Sequence, residues 1–124
     1  MMKKLILLLC LALVSCDFND GSNDDDLVCT AQFVYGLVVT VKDASTGEDL
    51  EGVTITAIDG EYEETLMESG PGPVVYLGAG ERPGNYTLTI QKEGFQTIVS
   101  TFINVTADVC HVVPQELSFN LQPN

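Results

Sequence analysis

The 124-residue chain has one histidine, no tryptophan and only five lysines and arginines against eighteen aspartates and glutamates. Each shortage removes a class of function. A transition-metal site normally needs several soft or imidazole ligands, and His111 stands alone while the four cysteines form no zinc-type cluster, so no metal or cofactor is expected. A strongly acidic surface repels polyphosphates, so nucleic acid is not an expected partner. Long apolar runs are also scarce: residues 5–14 form the longest. That is well short of the roughly 20 residues a spanning helix needs.

The run does match the apolar core of a secretory signal, because Lys3 and Lys4 precede it and small residues follow. It ends in Leu13-Val14-Ser15-Cys16, which resembles the bacterial lipobox, whose cysteine is alkylated by a diacylglycerol and becomes the first residue of the mature chain. Cys10 lacks that context, since three leucines precede it. The resemblance implies a signal peptide over residues 1–15 and lipidation of Cys16, with a palmitate-type anchor as the membrane contact. Without the signal, three basic side chains face eighteen acidic ones, a net of −15. Membrane attachment is therefore expected through lipid and not through a basic patch.

Residues 17–26 contain a single apolar side chain, Phe18, so residues 16–28 are expected to be a disordered acidic tether. The acidic cluster resembles the surface-export signal of Bacteroidota lipoproteins, whereas Asp17 directly after the cysteine resembles the inner-membrane retention signal of enteric bacteria. An outer-membrane location is the working expectation, with the periplasmic or cell-surface face left open. A calcium loop is disfavoured in this run, which lacks the EF-hand spacing and its terminal glutamate.

From residue 29 onward, apolar residues alternate with period two. Phe33, Tyr35, Leu37, Val39 and Val41 form one row, Val53, Ile55 and Ala57 a second, and Tyr86, Leu88 and Ile90 a third. Further runs at 98–105 and 117–121, with weaker ones at 62–67 and 74–77, bring the total to about seven strands. No segment has helical periodicity, so the expected fold is all-β, an antiparallel Greek-key sandwich over residues 29–124.

Residues 36–55 read strand, Ser45-Thr46-Gly47 turn, Leu50-Glu51-Gly52, strand; Gly84-Asn85-Tyr86-Thr87-Leu88 and Gly94-Phe95 follow later. This pattern resembles carboxypeptidase-regulatory-like domains, although residues 62–82 depart from it. The resemblance implies a prealbumin-like sandwich serving as a spacer, adhesion or carbohydrate-associated module. In that setting Gly47 and Gly94 supply positive φ at turns, and Tyr86 and Phe95 supply core area.

Catalytic signatures are sparse. His111 could serve a Ser-His-Asp relay, but no Gly-x-Ser-x-Gly elbow accompanies it. Glu61, Glu63 and Glu64 are better read as a charged edge that discourages strand pairing than as an acid pair. The expected function is accordingly non-enzymatic: a lipid-anchored envelope protein displaying a sandwich for binding or assembly, with an envelope protein or glycan as partner. The candidate interaction loop spans residues 69–84 and includes Pro71, Pro73, Tyr76, Glu81 and Arg82. A structural alternative is a Cna-B-like, pilin-type module, because Lys42, Glu81 and Asn120 loosely resemble the lysine, acid and asparagine that close an isopeptide bond. A small hydrolase is the third reading. Finally, with Cys10 removed and Cys16 consumed by lipid, Cys29 and Cys110 are the remaining thiols and are expected to pair.

Overall fold

The computed structural model describes residues 28–124. The signal, the lipobox cysteine Cys16 and the tether up to residue 27 lie outside the described residues. Within them, alternation becomes nine strands: β1 (Tyr35–Asp43), β2 (Thr54–Asp59), β3 (Tyr62–Thr65), β4 (Met67–Ser69), β5 (Val75–Gly80), β6 (Gly84–Gln91), β7 (Ile98–Val99), β8 (Ile103–Val105) and β9 (Gln115–Leu121). One sheet has the order β4-β5-β1-β9; the other runs β3-β2-β6-β7, with β8 also paired to β6. The all-β sandwich expectation holds.

Two details correct it. The strands number nine because two expected runs are each divided. The 62–67 run splits at Leu66, where the chain leaves the second sheet and enters the first: β3 pairs with β2, whereas β4 pairs with β5. Leu66 is buried at this crossing and donates its amide to Ile55 O at 2.9 Å. Room for it comes from Gly78, where a Cβ would sit 2.7 Å from Leu66 Cδ1. The 98–105 run is likewise interrupted by residues 100–102, with the Ser100 hydroxyl accepting the Leu88 amide at 2.8 Å. The second correction concerns direction. β9 pairs with β1 in parallel, from Leu37 opposite Gln115 to Asp43 opposite Leu121, while the remaining ladders are antiparallel.

The core lies between the sheets. Leu37, Val39 and Val41 from β1, Ile55 and Ala57 from β2, Tyr86, Leu88 and Ile90 from β6, and Leu121 from β9 are all essentially inaccessible. Phe95 packs against this cluster from the β6–β7 turn. Gly47 and Gly94 do adopt positive φ, 80° and 89°, as a turn residue without a Cβ can at little cost. Tyr86 is buried with its hydroxyl turned back to donate to Arg82 O at 2.8 Å, so its polar end is satisfied four residues upstream.

Candidate functional site

Polar side chains converge at the end of the sandwich where β1 begins, β5 ends and the 106–114 loop returns to β9. Glu81 is the hub. Its amide donates to Val34 O at 2.9 Å, and its Oε2 accepts the Val34 amide at 2.9 Å. The same carboxylate meets His111 Nδ1 at 2.6 Å and accepts the Val112 amide on Oε1 at 3.2 Å. Desolvation pushes the Glu81 carboxyl upward, but the bonds from His111 and the Val34 and Val112 amides outweigh it and hold the group below its ordinary value. Glu81 also sits at φ 48° and Ala79 at φ 53°, a left-handed conformation that non-glycine residues adopt at a cost of about 1 to 2 kcal/mol. The bonds to Val34 and the Arg82 amide bond to Ala79 O at 3.2 Å hold that turn in place.

The other face of His111 completes a chain of contacts. Its Nε2 lies 3.1 Å from the Thr30 hydroxyl. The backbone around it is tied down by Asp108, whose Oδ1 accepts the amides of Cys110 and His111, both at 2.8 Å. Those two amides hold the Asp108 carboxyl below its ordinary value. Beside them, Cys29 and Cys110 form the expected disulfide, with a Cα separation of 5.3 Å across 81 residues of sequence.

Hydroxyl, imidazole and carboxylate thus stand in the order of a nucleophile, base and orienting acid. The carboxylate at the end of this row is also tied to the backbone, through the Val34 and Val112 amides. The amides of Cys110, His111 and Val112 point at carboxylate oxygens.

Arg82 is equally engaged. Its guanidinium carbon lies 3.6 Å over the Tyr62 ring, and Nη1 donates to Asp59 Oδ2 at 3.1 Å and to Tyr86 OH at 3.0 Å. The Tyr86 hydroxyl and then Asp59 raise the Arg82 pKa further. Stacking, ion pair and hydrogen bond together knit β2, β3 and β6.

The members of the 69–84 candidate interaction loop fall in different surroundings. Tyr76 is wholly buried, donating its hydroxyl to Leu50 O at 2.8 Å and accepting the Val53 amide at 3.2 Å. It is a core residue whose phenol closes the β1–β2 connection. Pro71 and Pro73 are exposed in the turn between β4 and β5, beside a shallow groove of about 570 Å³ lined by Glu51, Glu68 and Val74. Glu81 and Arg82 follow the far end of β5, so the residues grouped by sequence occupy opposite ends of the sandwich.

The isopeptide constellation is divided in the same way. Lys42 and Asn120 are register partners on β1 and β9, but Glu81 bonds to Val34 before the other end of β1. Lys42 Nζ instead pairs with Asp49 Oδ1 at 2.7 Å, and its side chain is 42% exposed. Glu61 and Glu63 are exposed at β3, an edge strand, as anticipated. Glu64 departs from that reading: Oε2 accepts the Ala79 amide at 3.1 Å and Oε1 accepts the Tyr62 hydroxyl at 2.6 Å.

Thr30 and Asp108 are the participants that sequence reasoning missed. Asp108 had a local signal, an aspartate two and three residues ahead of the amides it accepts. Thr30 had none. No family model matches the chain, and no curated protein matches it either.

Proposed function

We propose that the chain is a lipid-anchored protein of the bacterial cell envelope, held by acylated Cys16, which presents a carboxypeptidase-regulatory-like sandwich for binding or assembly. The observation that carries this reading is the Cys29–Cys110 disulfide. Such bonds persist in oxidising compartments, which agrees with export on the signal formed by Lys3, Lys4, residues 5–14 and the lipobox. The bridge also joins the start of the domain to the 106–114 loop, so pulling on the tether loads a covalent link before any strand.

The cell envelope, with the outer membrane as the working location, follows from the same signal. A spacer or display role follows from the engaged state of Glu81, His111 and Arg82, whose side chains are occupied with one another. Labelling with a palmitate analogue tests the anchor: the wild-type chain should incorporate it and fractionate with membranes, and Cys16→Ser should do neither. Membrane retention of Cys16→Ser would overturn the assignment. Protease shaving of intact cells separates the two faces, since only a surface-displayed domain is cut before lysis.

A further inference from the structure

β9 is the unguarded edge of this sandwich. Sheets resist unwanted pairing with short, charged or interrupted edge strands. β3 has four residues and carries the exposed Glu63, β4 has three, and β7 has two. β9 has seven residues with a single charge, Glu116, and is the outer strand of its sheet.

Its free row of backbone groups can be assigned. Leu121 O accepts the Ala44 amide, so the odd-numbered residues of β9 turn their N–H and C=O toward β1. Successive residues alternate sides, so Glu116, Ser118 and Asn120 turn theirs outward, and all three are exposed. Two residues further along that same row the groups are already paired. Gln122 O accepts the Gln96 amide at 2.8 Å, and the Asn124 amide donates to Gly94 O at 3.0 Å, around an antiparallel bridge between Phe95 and Pro123. Residues 94–96 thus start a strand beside β9 and then leave for β7, and among the described residues the row is open at 116, 118 and 120.

Apolar side chains flank the open row. Leu117 and Phe119 are half-buried on the inner side. Beside the strand a shallow groove of about 480 Å³ is lined by Val38, Thr40, Val75, Glu116, Leu117 and Ser118.

We propose that β9 docks an extended segment of a basic partner protein, which adds as a further strand along Glu116, Ser118 and Asn120 and alternates apolar with Lys or Arg side chains. Backbone bonds supply the pairing and the flanking apolar surface supplies side-chain contacts. Charge selects the partner. The described residues hold three cations, Lys42, Arg82 and Lys92, against thirteen carboxylates. Lys42 and Arg82 are ion-paired, and Lys92 donates to Glu51 O. A second copy brings the same excess of negative charge, whereas a basic strand meets it with opposite sign. The inference gives a partner class to the binding or assembly role proposed above and rests on that role alone.

The test uses the full-length chain in detergent with seven-residue peptides alternating valine with lysine or valine with glutamate, read by amide hydrogen exchange. The valine–lysine peptide at saturation should slow exchange at Glu116, Ser118 and Asn120 by at least about tenfold. The glutamate peptide should leave it unchanged. Ser118→Pro removes an outward N–H without touching the β1 ladder, and should abolish the protection. Glu116→Lys, which leaves the backbone intact, should weaken it. Equal protection by both peptides, retained protection in a folded Ser118→Pro chain, or the same protection from self-association without peptide would each overturn the proposal. Palmitate labelling reads the anchor independently of all these outcomes.

Discussion

Val34 and Glu81 hold each other twice: the Glu81 amide donates to Val34 O and the Val34 amide donates to Glu81 Oε2, both at 2.9 Å. The first bond is main-chain, and the second places a carboxylate where another strand residue would offer its carbonyl. The side chain then reaches His111 and the Val112 amide, so one glutamate fastens the entry to β1 and the 106–114 loop together.

A pH dependence follows from that carboxylate. Glu81 and Asp108 titrate below their ordinary values in the folded chain, so their contribution is present above the unfolded carboxylate values of about 3.9 to 4.3 and is lost as pH falls through the depressed folded values. Urea unfolding midpoints should therefore decline from about pH 5 downward. Glu81→Gln should be less stable than wild type at pH 7, and the gap should narrow toward pH 3. A gap that stays constant with pH would show that the charge on Glu81 contributes nothing.

Breaking the Cys29–Cys110 bridge should lower stability by up to about 4.5 kcal/mol on the chain-entropy model, a large share of what a small domain has. Cys110→Ser, unfolded in urea beside the oxidised wild type, measures it. Thiol alkylation before reduction should leave both cysteines of the wild type unmodified, and labelling of either would contradict the pairing.

Tyr76→Phe isolates a buried hydroxyl. It keeps the ring in the core but removes the partner of Leu50 O and the Val53 amide, so a loss of about 1 to 3 kcal/mol is expected from groups left unpaired. Protection of the Val53 amide from hydrogen exchange should fall more than that of Ile90. An unchanged unfolding midpoint would place water or another donor at the site.

Gly78→Ala tests the sheet crossing. The added methyl would meet Leu66 Cδ1 at 2.7 Å and Glu64 Oε2 at 3.0 Å, so the chain should lose about 1 to 3 kcal/mol through overpacking. Pairing Gly78→Ala with Leu66→Ala relieves the contact, and the two losses should sum to more than the double variant shows. Strict additivity would mean that the two positions do not touch.

Arg82→Lys keeps the charge and removes the flat guanidinium from Tyr62. A small drop in the unfolding midpoint is expected, because the stack is partly exposed to solvent. Thermal unfolding of the two chains at matched ionic strength measures it.

The all-β class, the rows Leu37-Val39-Val41 and Tyr86-Leu88-Ile90, and the turns at Gly47 and Gly94 were legible in the sequence because each rests on local rules. Side chains alternate every second residue, and only a residue without a Cβ takes positive φ freely. The Cys29–Cys110 pair was legible too, since these are the two cysteines that fall in the alternating region after residue 28. Tertiary structure alone decided the rest. Whether Tyr76 faced solvent or core depended on which strands flanked β5, and the split at Leu66 depended on space that Gly78 leaves in the opposite sheet. Glu81 reads as a surface loop residue until His111 and Val34, thirty and forty-seven residues away, fold against it. The parallel placement of β9 beside β1, which exposes its outer row, came likewise from chain topology. Local period and turn chemistry specify which residues form strands; the partners of those strands are set by packing between segments far apart in sequence, where no short-range pattern records the choice.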